Sequence, residues 1–102
     1  MSVVVVATIT PLPDQVDAVR EAILAAVPKV HEEPGCELYA VHEGRGEFVM
    51  IERWESPEAL KVHGTAEALT TLGGQLADKL DGPPDVRRLT AVPAGEPAKG
   101  AV

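Results

Sequence analysis

The sequence predicts an α+β fold of the ferredoxin-like type, with elements in the order β-α-β-β-α-β, an antiparallel sheet and the helices on one face of it. Three observations predict this fold. A run of β-branched residues opens the chain, two apolar stripes recur at helical spacing, and two alternating segments joined by a short glycine turn lie between those stripes. The length of 102 residues suits one domain.

The first half of the chain predicts one strand and one helix. Residues 3–10 are β-branched at nearly every position, which is typical of a strand covered on both faces. The segment PLPD closes this strand, and Asp14 is placed to cap a helix. Pro28 lacks an amide donor, so we expect a kink or an early end of the helix there. The apolar stripe of the helix consists of Val16, Val19, Ile23, Val27 and Val30.

The middle of the chain predicts a hairpin. Residues 36–43 and 47–55 read as two strands joined by the tight turn GRG at 44–46. One face of the second strand carries Phe48, Met50, Glu52 and Trp54, and the other carries Val49, Ile51, Arg53 and Glu55.

The second helical region begins at Ser56, where an N-cap serine precedes a proline and an acidic residue. Gly64 and Thr65 can break that helix, after which a second apolar stripe follows, and DGPP stops it. The stripe consists of Leu69, Leu72, Leu76 and Leu80. Residues 85–92 predict a last strand. We therefore expect one domain over residues 1–92 and a disordered tail over 93–102, which has too little apolar mass to pack.

Composition and charge restrict the partners. The net charge is −7, and the nine Lys and Arg residues are scattered, so we expect neither nucleic acid nor an anionic membrane as a partner. Cys36 is the only cysteine, which excludes an intramolecular disulfide and favours the reducing cytoplasm. The apolar N-terminal run is too short for a signal peptide or a membrane span. Helices on one face would leave a valine-rich sheet face bare, so we expect a homodimer.

The segments EPGCELY and FVMIERWESPEALKVH carry a resemblance to a known family. An E-x-G-C segment opens the second strand, and an E-x-W-E-S strand end leads into a helix with a histidine nine residues after the tryptophan. This pattern resembles the antibiotic biosynthesis monooxygenase family, especially its small quinol-oxidising members, and the resemblance extends over residues 3–92. It implies a dimeric α+β barrel and a cofactor-free oxidation of phenolic or quinol rings by molecular oxygen.

His63 is the candidate catalytic base. It follows Ala59 by four residues and Leu60 by three, so we expect it to face the sheet with them. Imidazole exchanges a proton near neutral pH, and could therefore take the proton of a phenol bound between the sheet and the second helix. The alternative is a histidine that is hydrogen-bonded inside a small core.

Four further residues are candidates for binding the substrate: Trp54, Tyr39, Glu52 and Leu60. The Trp54 ring ends a strand, where it could wall the cleft and stack on a substrate, or plug the core. Glu52 shares its face and needs a partner there, either a basic residue across the strands or the histidine, which it would orient. Tyr39 could help to orient the substrate ring, and Leu60 shares the apolar helix face with His63.

No metal or organic cofactor is predicted. His31, expected to cap the first helix, and Cys36 lack a third and a fourth ligand, while His42 is expected to be solvated. The turn EGRG leads from strand to strand and is not a dinucleotide loop. A heme-degrading branch of the same superfamily takes its iron ligand from the position held here by Gly73. Gly73 and Gly74 each cost about 1 kcal/mol in a helix, which suggests close packing or room for a ligand.

The leading hypothesis is a homodimeric, cofactor-independent monooxygenase that oxidises a small phenolic or quinol substrate with molecular oxygen. The alternative from another class is a non-catalytic small-molecule-binding or regulatory dimer of the same fold, because fold alone does not determine function. An isomerase that uses the same base and a heme-degrading enzyme are less favoured.

Overall fold

A computed structural model describes residues 1–102 and confirms the predicted ferredoxin-like α+β fold. The four strands form one antiparallel sheet in the order β2-β3-β1-β4. None of the three helices has the length and apolar character that a membrane span requires. The elements are β1 Val3–Ile9, α1 Val16–His31, β2 Cys36–Gly44, β3 Glu47–Trp54, α2 Pro57–Thr65, α3 Glu67–Leu76 and β4 Asp85–Leu89.

The predicted break in the second helical region is confirmed. The Ser56 hydroxyl accepts a hydrogen bond from the Ala59 amide at 3.1 Å, which caps the start of α2. Ala66 has an extended backbone and separates α2 from α3, one residue after the Gly64-Thr65 pair. The two short helices can therefore take different directions over the sheet.

The prediction that Asp14 caps α1 is wrong, and so is the early end expected at Pro28. The N-cap is Gln15, which makes no side-chain cap hydrogen bond, so Asp14 lies outside the helix. Pro28 does not end the helix, which continues to His31. Pro28 is exposed, and the carbonyl group that loses its helical hydrogen bond belongs to Leu24, which is also exposed, so solvent can satisfy it. Val30, beyond the proline, is buried and anchors the last turn.

The last strand is shorter than predicted. β4 ends at Leu89, and residues 90–102 contain no helix or strand. Leu80 lies beyond α3 and forms an isolated bridge with Pro11, so it does not continue the helical stripe. Where the domain ends and whether the tail is disordered remain predictions.

The core lies between the helices and one face of the sheet. Alternate residues of β1 and β3 pack against buried residues of α1 and α3, which gives β3 its strictly alternating burial. The central members of this core are Val5, Ile9, Val19, Ile23, Val30, Phe48, Met50, Trp54, Leu72 and Leu76. On the opposite sheet face, Val6, Val49 and Ile51 are half-buried.

Candidate active site

A cavity of about 830 Å³ lies between the sheet and the helices α2 and α3. Its floor and walls are apolar, formed by Val5, Ala7, Ile9, Met50, Leu60, Leu69, Leu72 and Leu76. Three buried polar side chains reach it from different elements, namely Tyr39 from β2, Glu52 from β3 and His63 from α2. Three exposed charged residues, Glu58, Lys61 and Arg88, also line it. The β4 residues that border it are exposed, so the cavity opens towards that edge of the sheet. An apolar pocket with a few convergent polar groups is the usual form of a small-molecule site.

His63 is held in one tautomer by a buried carboxylate. Its Nδ1 lies 2.7 Å from Glu33 Oε1, and the two side chains are 6% and 11% exposed. A carboxylate can only accept, so Nδ1–H donates to Glu33 and the lone pair of the neutral ring lies on Nε2. Glu33 thereby orients the His63 ring and fixes its tautomer, as the carboxylate of a catalytic triad does for its histidine.

A glycine turn brings Glu33 to His63. Gly35 has a positive φ of 80°, and a Cβ atom there would lie 2.5 Å from the Ala59 Cβ atom. The Gly35 carbonyl also accepts a hydrogen bond from the Glu55 amide at 2.8 Å. Only a residue without a side chain allows the turn to lie this close to α2, so the E-P-G-C segment positions the carboxylate of Glu33 against the helix that carries His63.

Glu52 and Trp54 complete the environment of the histidine. Trp54 Nε1–H donates to Glu52 Oε1 at 2.9 Å, and the same oxygen lies 4.0 Å from His63 Nε2. The indole ring stacks on the imidazole ring, with centroids 4.4 Å apart and an interplanar angle of 29°. Burial raises the pKa of Glu52 above its ordinary value, and the nearby Glu33 carboxylate raises it further. The hydrogen bond from Trp54, and a positive charge on His63 whenever that ring is protonated, oppose this rise without cancelling it.

Tyr39 presents a neutral phenol to the cavity. Its ring stands edge-on to His63, with centroids 5.8 Å apart. Burial raises the pKa of Tyr39, and the nearby Glu52 and Glu33 raise it further, so the hydroxyl keeps its proton at neutral pH. It can therefore donate a hydrogen bond to an oxyanion in the cavity.

Four of the five predicted site residues line the cavity, namely His63, Tyr39, Glu52 and Leu60. Trp54 does not. It is fully buried behind His63, so the expectation that its ring would wall the cleft and stack on a substrate does not fit its place. The physical reason is the hydrogen bond to Glu52, which, with the stacking on His63, holds the ring in the core.

Glu33 is the site residue that sequence reasoning missed. It lies 30 positions before His63, and no periodicity links the two residues. The available signal is its place at the head of the E-P-G-C motif, where the pattern by itself indicates only a turn and a family resemblance.

The other histidines lie away from the cavity. His42 is exposed, as predicted. His31 lies at the end of α1, as predicted, but its Nε2 lies 3.0 Å from the Tyr39 carbonyl oxygen of β2. That hydrogen bond ties the helix end to the sheet, whereas the sequence suggested a role within the helix itself. No three His, Cys, Asp or Glu side chains converge in an arrangement suited to a metal ion.

The glycine pair in α3 is not closely packed. A Cβ atom added to Gly73 or Gly74 would meet no atom within 4 Å. Gly73 lines the cavity, whereas Gly74 does not. Of the two explanations that the sequence left open, room for a ligand at Gly73 fits this geometry.

Residues 2–72 match the family model described as antibiotic biosynthesis monooxygenase. Rv0793 from Mycobacterium tuberculosis is 28% identical, with a TM-score of 0.86, and the similarity covers 94% of this chain and 100% of that one. PA3566 from Pseudomonas aeruginosa is 26% identical, with a TM-score of 0.83 and coverage of 89% and 94%. A solved protein named antibiotic biosynthesis monooxygenase is 29% identical, with a TM-score of 0.83 and coverage of 89% and 99%. No curated protein matches the chain.

Proposed function

We propose that this chain, which belongs to the antibiotic biosynthesis monooxygenase family, is a cofactor-independent monooxygenase that acts on a small phenolic or quinol ring. The observation that carries this proposal is the buried His63–Glu33 pair, placed at the side of an apolar cavity of about 830 Å³. The pair provides a base, and the cavity provides a largely apolar compartment for an aromatic ring.

The proposed reaction balances with oxygen as the only oxidant. A quinol and O₂ give a hydroxyquinone and water, and a phenol and O₂ give a quinone and water. The ring supplies all four electrons, one oxygen atom forms a new bond to ring carbon, and the other leaves as water. A phenolate gives up an electron far more readily than a phenol, so the first task of the protein is to remove the phenolic proton.

The residues divide this work between them. His63 Nε2 accepts the phenolic proton, while Glu33 stabilises the imidazolium that forms, through its hydrogen bond at Nδ1. Tyr39 donates a hydrogen bond to the resulting oxyanion, which its raised pKa permits. Leu60 and the other apolar walls exclude water from the activated ring.

One observation favours this reading over a non-catalytic binding dimer. Glu33 Oε2 is buried and has no hydrogen-bond partner in the protein. An unsatisfied buried carboxylate oxygen costs roughly 1–3 kcal/mol, so the Glu33–His63 pair is an expensive way to fill a core. In a catalytic site this loss of stability is offset by the orientation of the base, whereas in a purely structural core nothing offsets it.

We also propose a homodimer in the reducing cytoplasm. The free thiol of Cys36 suits that compartment. The sheet face opposite the helices carries apolar side chains, and a second copy of the chain would cover it. Size-exclusion chromatography with light scattering at micromolar concentration should give about twice the chain mass of 10.7 kDa. A stable monomer with an unchanged circular dichroism spectrum would contradict this proposal.

Oxygen uptake with a panel of quinols and phenols tests the proposed activity. Wild-type protein should consume oxygen and, in ¹⁸O₂, give a product that carries one labelled atom. Loss of His63 should lower kcat/KM by roughly 10²- to 10⁴-fold, the usual contribution of one positioned acid-base group.

The histidine variants need a matched set, because His63→Ala leaves the buried Glu33 without a partner and can destabilise the fold. His63→Asn keeps an N–H donor for Glu33 but has no basic nitrogen. His42→Ala removes an exposed histidine and serves as the control. Full activity in a folded His63→Asn protein, or a product without label, would reject the proposed chemistry.

A further inference from the structure

The charged residues around the cavity differ between its closed end and its open edge. Glu52 lines the closed end beside His63, whereas Glu33 contacts His63 from outside the cavity lining; both are buried or nearly so. Arg88 from β4 and Lys61 from α2 line the exposed part of the cavity, together with Glu58 in the first turn of α2. Both of these basic side chains therefore lie at the edge where a ligand enters.

The sheet register fixes where Arg88 lies relative to the base. Val5 is paired with Glu52 on one side and with Arg88 on the other, and Glu52 is paired with Tyr39. Tyr39, Glu52, Val5 and Arg88 therefore form one row across the helix-facing side of the sheet. Neighbouring strands are about 4.8 Å apart, so the Arg88 backbone lies about 10 Å from that of Glu52. Only Val5, an apolar residue of the cavity floor, lies between them.

Arg88 has no carboxylate partner in the chain. The adjacent Arg87, on the opposite sheet face, forms a salt bridge with Asp85 at 3.1 Å, whereas neither Arg88 nor Lys61 forms one. The protein carries a net charge of −7, which repels anionic ligands in general. Arg88 and Lys61 together outweigh the single carboxylate of Glu58 at the cavity mouth, so the local charge there is positive. A guanidinium group also matches a carboxylate with two parallel hydrogen bonds.

We propose that the cavity binds an aromatic acid, a phenol or quinol whose ring lies over Val5 with its carboxylate on Arg88 and its hydroxyl towards His63. Lys61 adds a second positive charge near the carboxylate. This inference rests on the proposed function for the role of the hydroxyl end, but the carboxylate preference can be measured without turnover. Arg88 would select substrates that carry a carboxylate, whereas His63 contacts only the hydroxyl end of the ring.

Binding of para-hydroxybenzoate and of its neutral amide, para-hydroxybenzamide, tests the preference. The two ligands have the same ring and hydroxyl and differ in charge. Quenching of the single tryptophan, Trp54, which stacks on His63, reports binding, and calorimetry provides an independent measurement. The acid should bind about 10- to 100-fold more tightly than the amide, as expected for hydrogen bonds to a charged group. Equal affinity, or no binding of the acid at millimolar concentration, would overturn the proposal.

The matched variants are Arg88→Gln and Arg45→Gln, which remove the same charge. Arg45 lies in the exposed β2–β3 turn and does not line the cavity, so its variant should retain the full preference. Arg88→Gln should lose most of it. An acid preference that survives in Arg88→Gln would also overturn the proposal.

The two proposals can fail separately. If neutral quinols are oxidised but the acid is not preferred, the carboxylate site is refuted and the monooxygenase activity stands. If the acid is preferred through Arg88 but no quinol is oxidised, the binding site stands and the proposed activity is refuted.

Discussion

Replacing Gly73 should make the protein more stable while narrowing its cavity. Alanine favours a helix over glycine by about 1 kcal/mol, and a Cβ atom at position 73 meets no atom within 4 Å that would oppose this gain. For a chain of this size, 1 kcal/mol corresponds to a rise in Tm of about 4–8 °C. Gly74→Ala should give a similar rise, because its surroundings are equally open.

The two positions should differ in activity, because Gly73 lines the cavity and Gly74 does not. Leucine at position 73 would extend a branched side chain into the space between α3 and the sheet. A change of one methylene group in an apolar pocket alters discrimination by roughly 10- to 200-fold. Gly73→Leu should therefore lower kcat/KM for a two-ring quinol by at least about tenfold relative to a one-ring quinol. Gly74→Leu should leave that ratio unchanged.

Thermal unfolding followed by circular dichroism, and oxygen uptake with the two quinols, measure both effects. A lower Tm in the two alanine variants would refute the inference that these glycines lie in open space. An equal change of substrate ratio in the two leucine variants would attribute the effect to the helix and not to the cavity.

Two further predictions concern the carboxylates. Because burial raises the folded-state pKa of Glu52, its contribution to stability is fully present below its unfolded pKa of roughly 4.3 and is lost as pH rises through the folded value. Glu52→Gln can still accept the hydrogen bond from Trp54. In urea unfolding it should therefore be more stable than wild type at pH 7 and equally stable below about pH 4. A variant that is less stable than wild type at pH 7 would contradict burial as the cause of the raised pKa. Glu33→Ala should lower kcat by about 10- to 100-fold with little change in KM, and Glu33→Gln should restore part of the loss because its Oε1 still accepts from His63. A change confined to KM would show that Glu33 contacts the substrate and does not position the base.

Elements whose causes are local could be predicted from the sequence alone. The glycine turn between β2 and β3, the serine cap of α2 and the break between α2 and α3 each depend on a few adjacent residues. The alternation of β3 predicts that Glu52 and Trp54 share one face, and the structure shows that this face is buried. The spacing of α2 likewise placed His63 and Leu60 on the side that faces the cavity.

Which side chains meet on those faces depends on how the separate elements pack, and the sequence pattern does not give it. Periodicity places Trp54 on the inward face of β3. It does not show that the indole N–H donates to Glu52, or that the indole ring stacks behind His63 and outside the cavity. The contact between Glu33 and His63 joins residues 30 positions apart and depends on the close approach of Gly35 to Ala59. Pro28 stays within α1 because its lost hydrogen bond faces solvent and Val30 beyond it is buried, a balance set by the fold. Local rules act between neighbouring residues along the backbone. The contacts of the candidate site arise only when separate elements pack against each other.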